Sequence, residues 1–124
     1  MANPVTKFQI LSKSPDGTAH FYAGLFGWTV NADNPLGYRQ INTGSNVGIQ
    51  GGIWPAPSDV PTFAQLFVAV EDVKASLGKA VELGAKVIMP PTMLPDGDEM
   101  AILVDPQGMS FGNGRQQHER AHHN

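Results

Sequence analysis

Residues 21–30 read FYAGLFGWTV, and residues 78–87, 57 positions further along the chain, read GKAVELGAKV. The two segments share an alanine, a glycine and a valine at matched positions: Ala23 and Ala80, Gly27 and Gly84, Val30 and Val87. An alanine late in an amphipathic segment, followed by a glycine that accepts the left-handed conformation and then by a valine, is typical of a helix that ends and leads into a strand. The sequence therefore predicts two copies of one strand-helix-strands module.

The flanking residues predict the same order of elements in both halves. The expected strands of the first half cover residues 7–12, 28–32, 38–43 and 47–54. The expected strands of the second half cover residues 63–70, 86–89, 99–104 and 110–113. A helix follows the first strand of each half, beginning at the N-cap residue Ser14 or Asp72 and ending at Gly27 or Gly84.

One apolar face of each helix is expected to pack against a sheet. These faces comprise Thr18, Phe21, Tyr22 and Leu25 in the first helix, and Val73, Leu77, Ala80 and Val81 in the second. Pro90 and Pro91 are expected to end the strand before them, because proline cannot donate a ladder hydrogen bond. The turns Asn34–Gly37 and Asp105–Gly108 have the residues that type I turns favour.

The length of 124 residues allows one hydrophobic core and is too short for two. We therefore predict a single domain over residues 1–114, with modules at about 5–54 and 62–114. The proline-rich stretch 55–61 is the expected linker, and residues 115–124 are the expected flexible tail.

Composition and charge argue against several classes of partner. A net charge of −3 with only eight Lys and Arg residues gives no basic patch for nucleic acid. No apolar stretch approaches membrane-spanning length, and the start of the sequence has no secretory leader. The sequence contains no cysteine, so disulfides, thiol nucleophiles and thiolate metal sites are excluded. We expect a cytoplasmic protein with no nucleic-acid or membrane partner.

The chain contains one match to the zinc-protease motif H-E-x-x-H, from His118 to His122. The motif lies in the last seven residues, without an apolar face to bury it and without a third ligand further along. We interpret it as part of a solvated tail rather than as a zinc site.

The chain resembles the vicinal oxygen chelate superfamily, which includes glyoxalase I, bleomycin-resistance proteins, extradiol dioxygenases and epimerases. The motifs that carry the resemblance are Phe21-Tyr22 with Leu25-Phe26-Gly27-Trp28, Val70-Glu71-Asp72-Val73, Leu83-Gly84-Ala85 and Asp105-Pro106-Gln107-Gly108. They span about residues 5 to 114. The resemblance implies an α+β fold in which two βαβββ modules with curved mixed sheets form a cup, commonly in a homodimer. It does not imply one activity, because this fold hosts several.

Enzymes of the superfamily mostly hold a divalent metal through His, Gln or Glu side chains. Carried over to this sequence, those positions fall on Lys7, Gln50, Gln65 and Gly112. An ammonium group has no lone pair, glycine has no side chain, and two neutral amides do not balance a dication. We therefore expect neither a metal of the family type nor another cofactor.

Six residues are the candidate ligand-binding set: Lys7, Gln50, Gln65, Tyr38, Trp54 and Met100. The lysine and the two amides would bind an anionic or carbonyl-bearing molecule, and the other three would line an apolar cup. Other interpretations stay open: an exposed strand position for the lysine, backbone capping by the glutamines, and plain core packing for the rest. The sequence identifies no catalytic residue.

We expect a small-molecule-binding protein of the glyoxalase and bleomycin-resistance type. It would bind or sequester a small, partly apolar compound without a metal. The alternative is a metal-dependent lyase, isomerase or dioxygenase of the same superfamily with a different ligand set, and a third possibility is a structural or regulatory dimer whose pocket is vestigial.

Overall fold

The computed structural model describes residues 3–56, 61–94 and 97–115 of the chain. In these ranges the first half holds β1 (Val5–Ser12), α1 (Pro15–Phe26), β2 (Thr29–Asn31), β3 (Arg39–Asn42) and β4 (Gln50–Pro55). The second half holds β5 (Phe63–Ala69), α2 (Val73–Glu82), β6 (Lys86–Met93), β7 (Glu99–Val104) and β8 (Ser110–Arg115). Each half thus runs strand, helix, three strands, which confirms the predicted α+β fold with two βαβββ modules.

The described chain divides into two compact units. The first unit covers Thr6–Leu66, and its strands lie in the order β2-β3-β4-β1. The second unit takes in the described residues before Thr6 and those from Phe67 onward, with the strand order β5-β8-β7-β6. Strand β5 crosses the boundary, so its residues 63–66, which include Gln65, belong to the first unit. In each unit one strand pair is parallel, β1 with β4 and β5 with β8, and the other neighbours are antiparallel. Both sheets are therefore mixed.

Helix α1 begins and ends where its sequence signals lie. Pro15 takes its first turn, and Gly27 ends it in the left-handed conformation, with φ of 74° and its N–H donating to the Ala23 carbonyl over 2.9 Å. Ser14 stands at the N-cap position but its side chain makes no capping hydrogen bond, contrary to the prediction. The Ser12 hydroxyl serves this end of the helix instead, because its oxygen accepts from the Ser14 N–H at 2.9 Å.

The prediction of the packing face of α1 is correct for only half of its residues. Thr18 and Tyr22 are half-buried, but Phe21 and Leu25 are 59% and 60% exposed, and no α1 residue is fully buried. The helix meets β4 and β2 through its Thr18 and Tyr22 side, together with short alanine side chains. Phe21 and Leu25 lie on the flank that the sheet does not cover.

Helix α2 is anchored more deeply. The Asp72 carboxylate caps it by accepting from the Ala75 N–H over 3.0 Å, as predicted. Val73 forms a buried cluster with Ala101 and Leu103 of β7, and Leu77 and Ala80 pack against this cluster. Val81 belonged to the predicted face, but it is 53% exposed because it lies beside the packing line rather than on it.

Strand β6 differs from its prediction, since it continues through Pro90 and Pro91 to Met93. The strand lies at the edge of the second unit's sheet, where a missing N–H on the outer side breaks no ladder bond. Its pairing with β7 shifts register twice, between Val87 and Met89 and between Met89 and Thr92. The prolines are accommodated in an irregular edge strand rather than ending it.

Other boundaries shift by a few residues. Strand β4 begins only at Gln50, and Val47, predicted to lie in it, is 82% exposed in the preceding loop. Of the expected linker, residues 57–60 lie outside the described ranges, as does the expected tail from residue 116 onward; Arg115, assigned to that tail, ends β8. Neither α1 nor α2 is long and apolar enough to cross a membrane.

Candidate functional site

The first unit's sheet carries a polar face on the side away from α1. Residues directly opposite each other in neighbouring strands project to the same side of a sheet. By this rule Lys7 lies beside Gln50, and Gln9 lies beside Gly52. The other side of β1 carries Phe8, whose ring lies 5.7 Å from that of Trp28, just after α1. We call the Lys7 side the polar face; its members are Lys7, Gln9, Tyr38, Gln40, Asn42, Gln50, Trp54 and Gln65.

Lys7 is a buried lysine, with only 5% of its surface exposed. Its Nζ lies 5.9 Å from the centroid of the Tyr38 ring, within range of a cation–π interaction. The interpretation of Lys7 as an exposed strand residue is therefore wrong. A lysine in such a buried position is rare unless its charge has partners.

Two buried glutamines meet on this face. The Gln65 Nε2 donates to the Gln9 Oε1 over 3.2 Å, and the two residues are 2% and 0% exposed. Gln65 was predicted for the site, whereas Gln9 was not. The signal for Gln9 was its spacing from Lys7, because residues two apart on a strand share a face.

Tyr38 and Trp54 form the aromatic part of the face, with ring centroids 4.7 Å apart at 41°. Tyr38 is 2% exposed and lies over Gly52, where a Cβ atom would overlap its ring. The glycine is therefore what allows the tyrosine to lie flat against β4. Within the described residues the Trp54 Nε1–H is buried and has no hydrogen-bond partner.

Gln50 and Met100, the remaining predicted residues, have other surroundings. The Gln50 side chain accepts from the Thr43 N–H at 2.6 Å and donates to the Ser45 carbonyl at 3.0 Å, so it holds the loop between β3 and β4. Met100 lies on β7 of the second unit and is fully buried. The first unit thus carries five of the six predicted residues on one face, Lys7, Gln50, Gln65, Tyr38 and Trp54, and the Gln50 side chain there bonds backbone groups, the alternative that the sequence left open.

A cavity of about 290 Å³ opens at the β2–β3 end of the first unit's sheet. Its lining is mostly uncharged and polar: Thr29, Val30, Asn31, Gln40 and Asn42. Gln40 lies opposite Gly52 and Asn42 lies opposite Thr29, so the cavity is on the polar face. Sequence reasoning missed these residues, because each strand there is only three or four residues long and gives a weak alternation signal.

The donor set at the family's metal positions does not fit a divalent cation. Lys7 carries an ammonium group, Gln50 and Gln65 carry neutral amides, and Gly112 of β8 has no side chain. Among residues 3–56, 61–94 and 97–115, no three His, Asp or Glu side chains lie close enough to hold a metal ion. The H-E-x-x-H motif lies outside these ranges. His20 is an exposed residue of α1.

The fold has known counterparts. The chain matches a hypothetical protein of Bacillus halodurans with a TM-score of 0.66 at 15% identity, covering 94% of this chain and 96% of that one. It also matches a variant of Streptomyces coelicolor methylmalonyl-CoA epimerase, solved with 2-nitronate-propionyl-CoA, with a TM-score of 0.63 at 16% identity. That match covers 94% of this chain and 99% of the epimerase. At these identities the likeness concerns the fold alone.

Comparison with sequence relatives identifies the family of the chain. A mycobacterial protein named "Putative glyoxylase CFP32", found in Mycobacterium bovis and Mycobacterium tuberculosis, is 34% identical over 99 residues. The match covers 74% of this chain but only 38% of the mycobacterial protein. The model of the glyoxalase-like domain matches residues 8–112, nearly the whole described chain. The chain belongs to the glyoxalase-like domain family, within the vicinal oxygen chelate superfamily.

Proposed function

We propose that the protein binds a small, partly apolar compound with a carbonyl or anionic oxygen on the polar face of its first unit. The observation that carries this proposal is the Trp54 indole, whose buried N–H has no acceptor among the described residues. An unsatisfied buried donor costs about 1–3 kcal/mol, so a ligand oxygen at this position would recover that free energy. The ring of Tyr38, 4.7 Å away, would supply apolar surface beside it.

Charge and space on the same face support the proposal. Lys7 supplies a cation close to the Tyr38 ring. A cavity of about 290 Å³ opens beside Gln40 and Asn42 of the same face, although its lining does not include Lys7, Tyr38 or Trp54. Small-molecule pockets usually start at roughly 300 Å³, so the cavity suits a compound of modest size. Amide side chains both donate and accept hydrogen bonds, which suits a ligand with carbonyl and hydroxyl groups.

We further propose that this binding needs no divalent metal. The support is the donor chemistry, since an ammonium group at Lys7 and a glycine at position 112 replace side chains that would ligate a cation. Lys7 would instead supply positive charge directly, through an N–H donor rather than through a Lewis acid. The cytoplasm is the proposed compartment, with which a sequence without cysteine is compatible.

The alternative is a glyoxalase-type enzyme, which family membership favours. The mycobacterial relative is named "Putative glyoxylase CFP32", and one structural counterpart is an epimerase solved with 2-nitronate-propionyl-CoA. The chain spans less than two fifths of that relative's length, so the relative's activity is only a candidate activity for this chain. A lyase or epimerase here would need a proton-transferring group; the polar face has no carboxylate or histidine, so Lys7 and Tyr38 are its candidates for that role.

A ligand screen with three variants tests the proposal. Ligand-observed NMR would use short 2-oxo acids, aromatic carboxylates and acyl thioesters, with protein dialysed against a chelator. Trp54→Phe removes the N–H and keeps an aromatic ring, so we expect affinity to fall roughly 5- to 10-fold while stability is kept or rises. Lys7→Met is expected to weaken anionic ligands roughly 10-fold or more, and Lys74→Met on the exposed side of α2 should change nothing. Equal affinities in all variants would exclude the polar face as the site.

Metal content separates the two candidates. Elemental mass spectrometry would compare the full chain with a variant in which His118, His122 and His123 are alanine, so that the tail contributes no metal. Near one metal ion per chain in this variant would overturn metal-independent binding and favour the enzyme. Ligand binding that survives the chelator, with no retained metal, would support the first proposal.

A further inference from the structure

The cavity at the β2–β3 end of the first unit's sheet is lined by polar side chains that share one face. Thr29 lies opposite Asn42, and Asn31 lies opposite Gln40. Residues opposite each other in antiparallel strands project to the same side, with Cβ atoms about 5 Å apart, so these four side chains form one patch. We call this site the amide cleft; its lining is Thr29, Val30, Asn31, Gln40 and Asn42.

Two Asx turns fix how the asparagine amides are used. The Asn31 Oδ1 accepts from the Asp33 N–H over 2.9 Å, and the Asn42 Oδ1 accepts from the Gly44 N–H over 2.8 Å. A backbone N–H only donates, so the atom that it meets is the amide oxygen, and the remaining group of the amide is NH₂. In each asparagine the chain thus engages the acceptor and leaves the donor group over.

The donors of the amide cleft have no protein partner in the part of the chain that the structure describes. Neither the NH₂ groups of Asn31 and Asn42 nor the Gln40 amide makes a hydrogen bond to residues 3–56, 61–94 or 97–115. All three side chains are exposed, so without a ligand they bond to water. A ligand that brings oxygen acceptors can replace this water without a loss of hydrogen bonds.

The amide cleft carries no charge of its own, because none of its lining residues is ionisable. The nearest ionisable residue along β2 is Asp33, which would repel an anion. Arg39 lies on the opposite side of β3 from the cleft, where its Nη2 pairs with the Asp16 carboxylate at 2.8 Å. Lys7 lies on β1, two strands from β3 and therefore roughly 10 Å away across the sheet. An anion in the cleft would meet no cation, whereas an uncharged acceptor would meet no repulsion.

We propose that the amide cleft binds an uncharged carbonyl group of the ligand, as in a carboxamide, an ester or a ketone, through the N–H donors of Asn31, Gln40 and Asn42. The inference rests on the proposed function, because it specifies the group that the compound on the polar face presents to β2 and β3. A carbonyl oxygen has two lone pairs and accepts from two donors at once, which suits donors on neighbouring strands. The volume of about 290 Å³ leaves room for the atoms that carry the carbonyl.

Titration with three small probes of similar shape tests the proposal. N,N-dimethylbenzamide is an uncharged acceptor without N–H donors, benzoate is an anion, and N,N-dimethylbenzylamine is a cation at neutral pH. NMR of isotope-labelled protein detects the side-chain NH₂ signals of Asn31, Gln40 and Asn42, which report binding in the cleft directly. We expect N,N-dimethylbenzamide to shift these signals with a dissociation constant in the millimolar range and to bind more tightly there than benzoate.

The double variant Asn31→Asp with Asn42→Asp should invert this preference. A carboxylate oxygen still accepts from the Asp33 and Gly44 N–H groups, so both turns are kept, but each NH₂ donor becomes an acceptor. Affinity for N,N-dimethylbenzamide should fall roughly 10-fold or more, because two hydrogen bonds are lost. Affinity for N,N-dimethylbenzylamine should rise, because its cation now meets two carboxylates. Loss of folding would not produce such a gain.

The matched control is Asn46→Asp with Gln107→Glu, which adds the same charge at two exposed positions outside the cleft. It should leave the affinities for all three probes unchanged. Unshifted NH₂ signals, benzoate as the tightest probe, or the same response in both double variants would overturn the proposal.

These results are distinguishable from failure of the proposed function. Trp54→Phe and Lys7→Met change residues outside the lining of the amide cleft. If those variants weaken a screened ligand while the cleft binds no probe, the further inference fails and the proposed function stands. If the cleft binds N,N-dimethylbenzamide as expected while those variants change nothing, the carbonyl site stands and the proposed role of Trp54 and Lys7 fails.

Discussion

Gly52→Ala is expected to displace the Tyr38 ring and so to connect the stability of the protein with its candidate site. A Cβ atom at position 52 would overlap the Tyr38 ring and hydroxyl. The ring is 2% exposed, so it cannot move outward without uncovering its surroundings. The ring must therefore rotate within its surroundings, which disturbs its contact with Trp54, whose ring centroid is 4.7 Å distant.

The size of the effect follows from what the rotation breaks. Loss of the aromatic contact with Trp54 costs about 0.5–1.5 kcal/mol. A side chain forced about 30° off its preferred rotamer costs about 0.5–1.5 kcal/mol more. Gly52→Ala should therefore lower the free energy of unfolding by about 1–3 kcal/mol, in line with other cases of overpacking.

A double-mutant cycle in urea isolates the Gly52–Tyr38 contact. Tyr38→Ala alone should cost about 3–5 kcal/mol, as for other large aromatic residues. Once the ring is absent, Gly52→Ala should cost almost nothing, which gives a coupling of about 1–3 kcal/mol between the two sites. The midpoints and slopes of the unfolding curves supply the values.

Gly78→Ala is the control for this cycle. Gly78 lies inside α2, where an added Cβ meets nothing within 4 Å. The substitution should stabilise the helix by about 1 kcal/mol and should add to Tyr38→Ala without coupling. Additivity of Gly52→Ala and Tyr38→Ala within about 0.5 kcal/mol would refute the reasoning.

Four further substitutions have distinct expected effects. Asp72→Ala removes a capping hydrogen bond and should cost about 1 kcal/mol by chemical denaturation, whereas Ser14→Ala, which removes none, should cost well under half of that. Gly114→Ala would set a Cβ atom against backbone atoms of β7, which cannot rotate aside. We therefore expect the free energy of unfolding to fall by about 3 kcal/mol or more, which would appear as a large fall in melting temperature. A fall as small as that of Ser14→Ala would contradict the steric argument. Asp16→Asn breaks the 2.8 Å ion pair with Arg39, but the Asp16 side chain is 87% exposed. The free energy of unfolding should therefore change by less than about 0.5 kcal/mol, and by even less in high salt, which screens the pair.

Much of the fold was predictable because its signals are local. Gly27, with its positive φ, and Asp72, with its capping carboxylate, act through their own neighbours, so the sequence around them indicates the helix ends directly. The exposure of Phe21 and the passage of β6 through Pro90 depend on what surrounds the element, which a local pattern does not record. Whether the two modules share one domain stays a prediction.

The candidate site was predictable only in part. Lys7, Gln65, Tyr38 and Trp54 were found through the family resemblance and residue chemistry, and the first unit does bring them to one face. Gln9 was missed because alternation alone did not decide which side of β1 faces α1. That decision needs the contact of Phe8 with Trp28, which joins residues 20 positions apart. The binding role of all these residues stays a prediction.

The paired prolines of β6 also protect the protein from association through its sheet edge. This edge strand exposes Val87, Ile88 and Met93, and an apolar edge with a regular row of N–H donors is a template for another chain's strand. Neither Pro90 nor Pro91 has an N–H to donate, and the two register shifts interrupt the regular spacing of the strand. The second unit can therefore expose an apolar edge strand to water without providing a regular template for the strand of another chain.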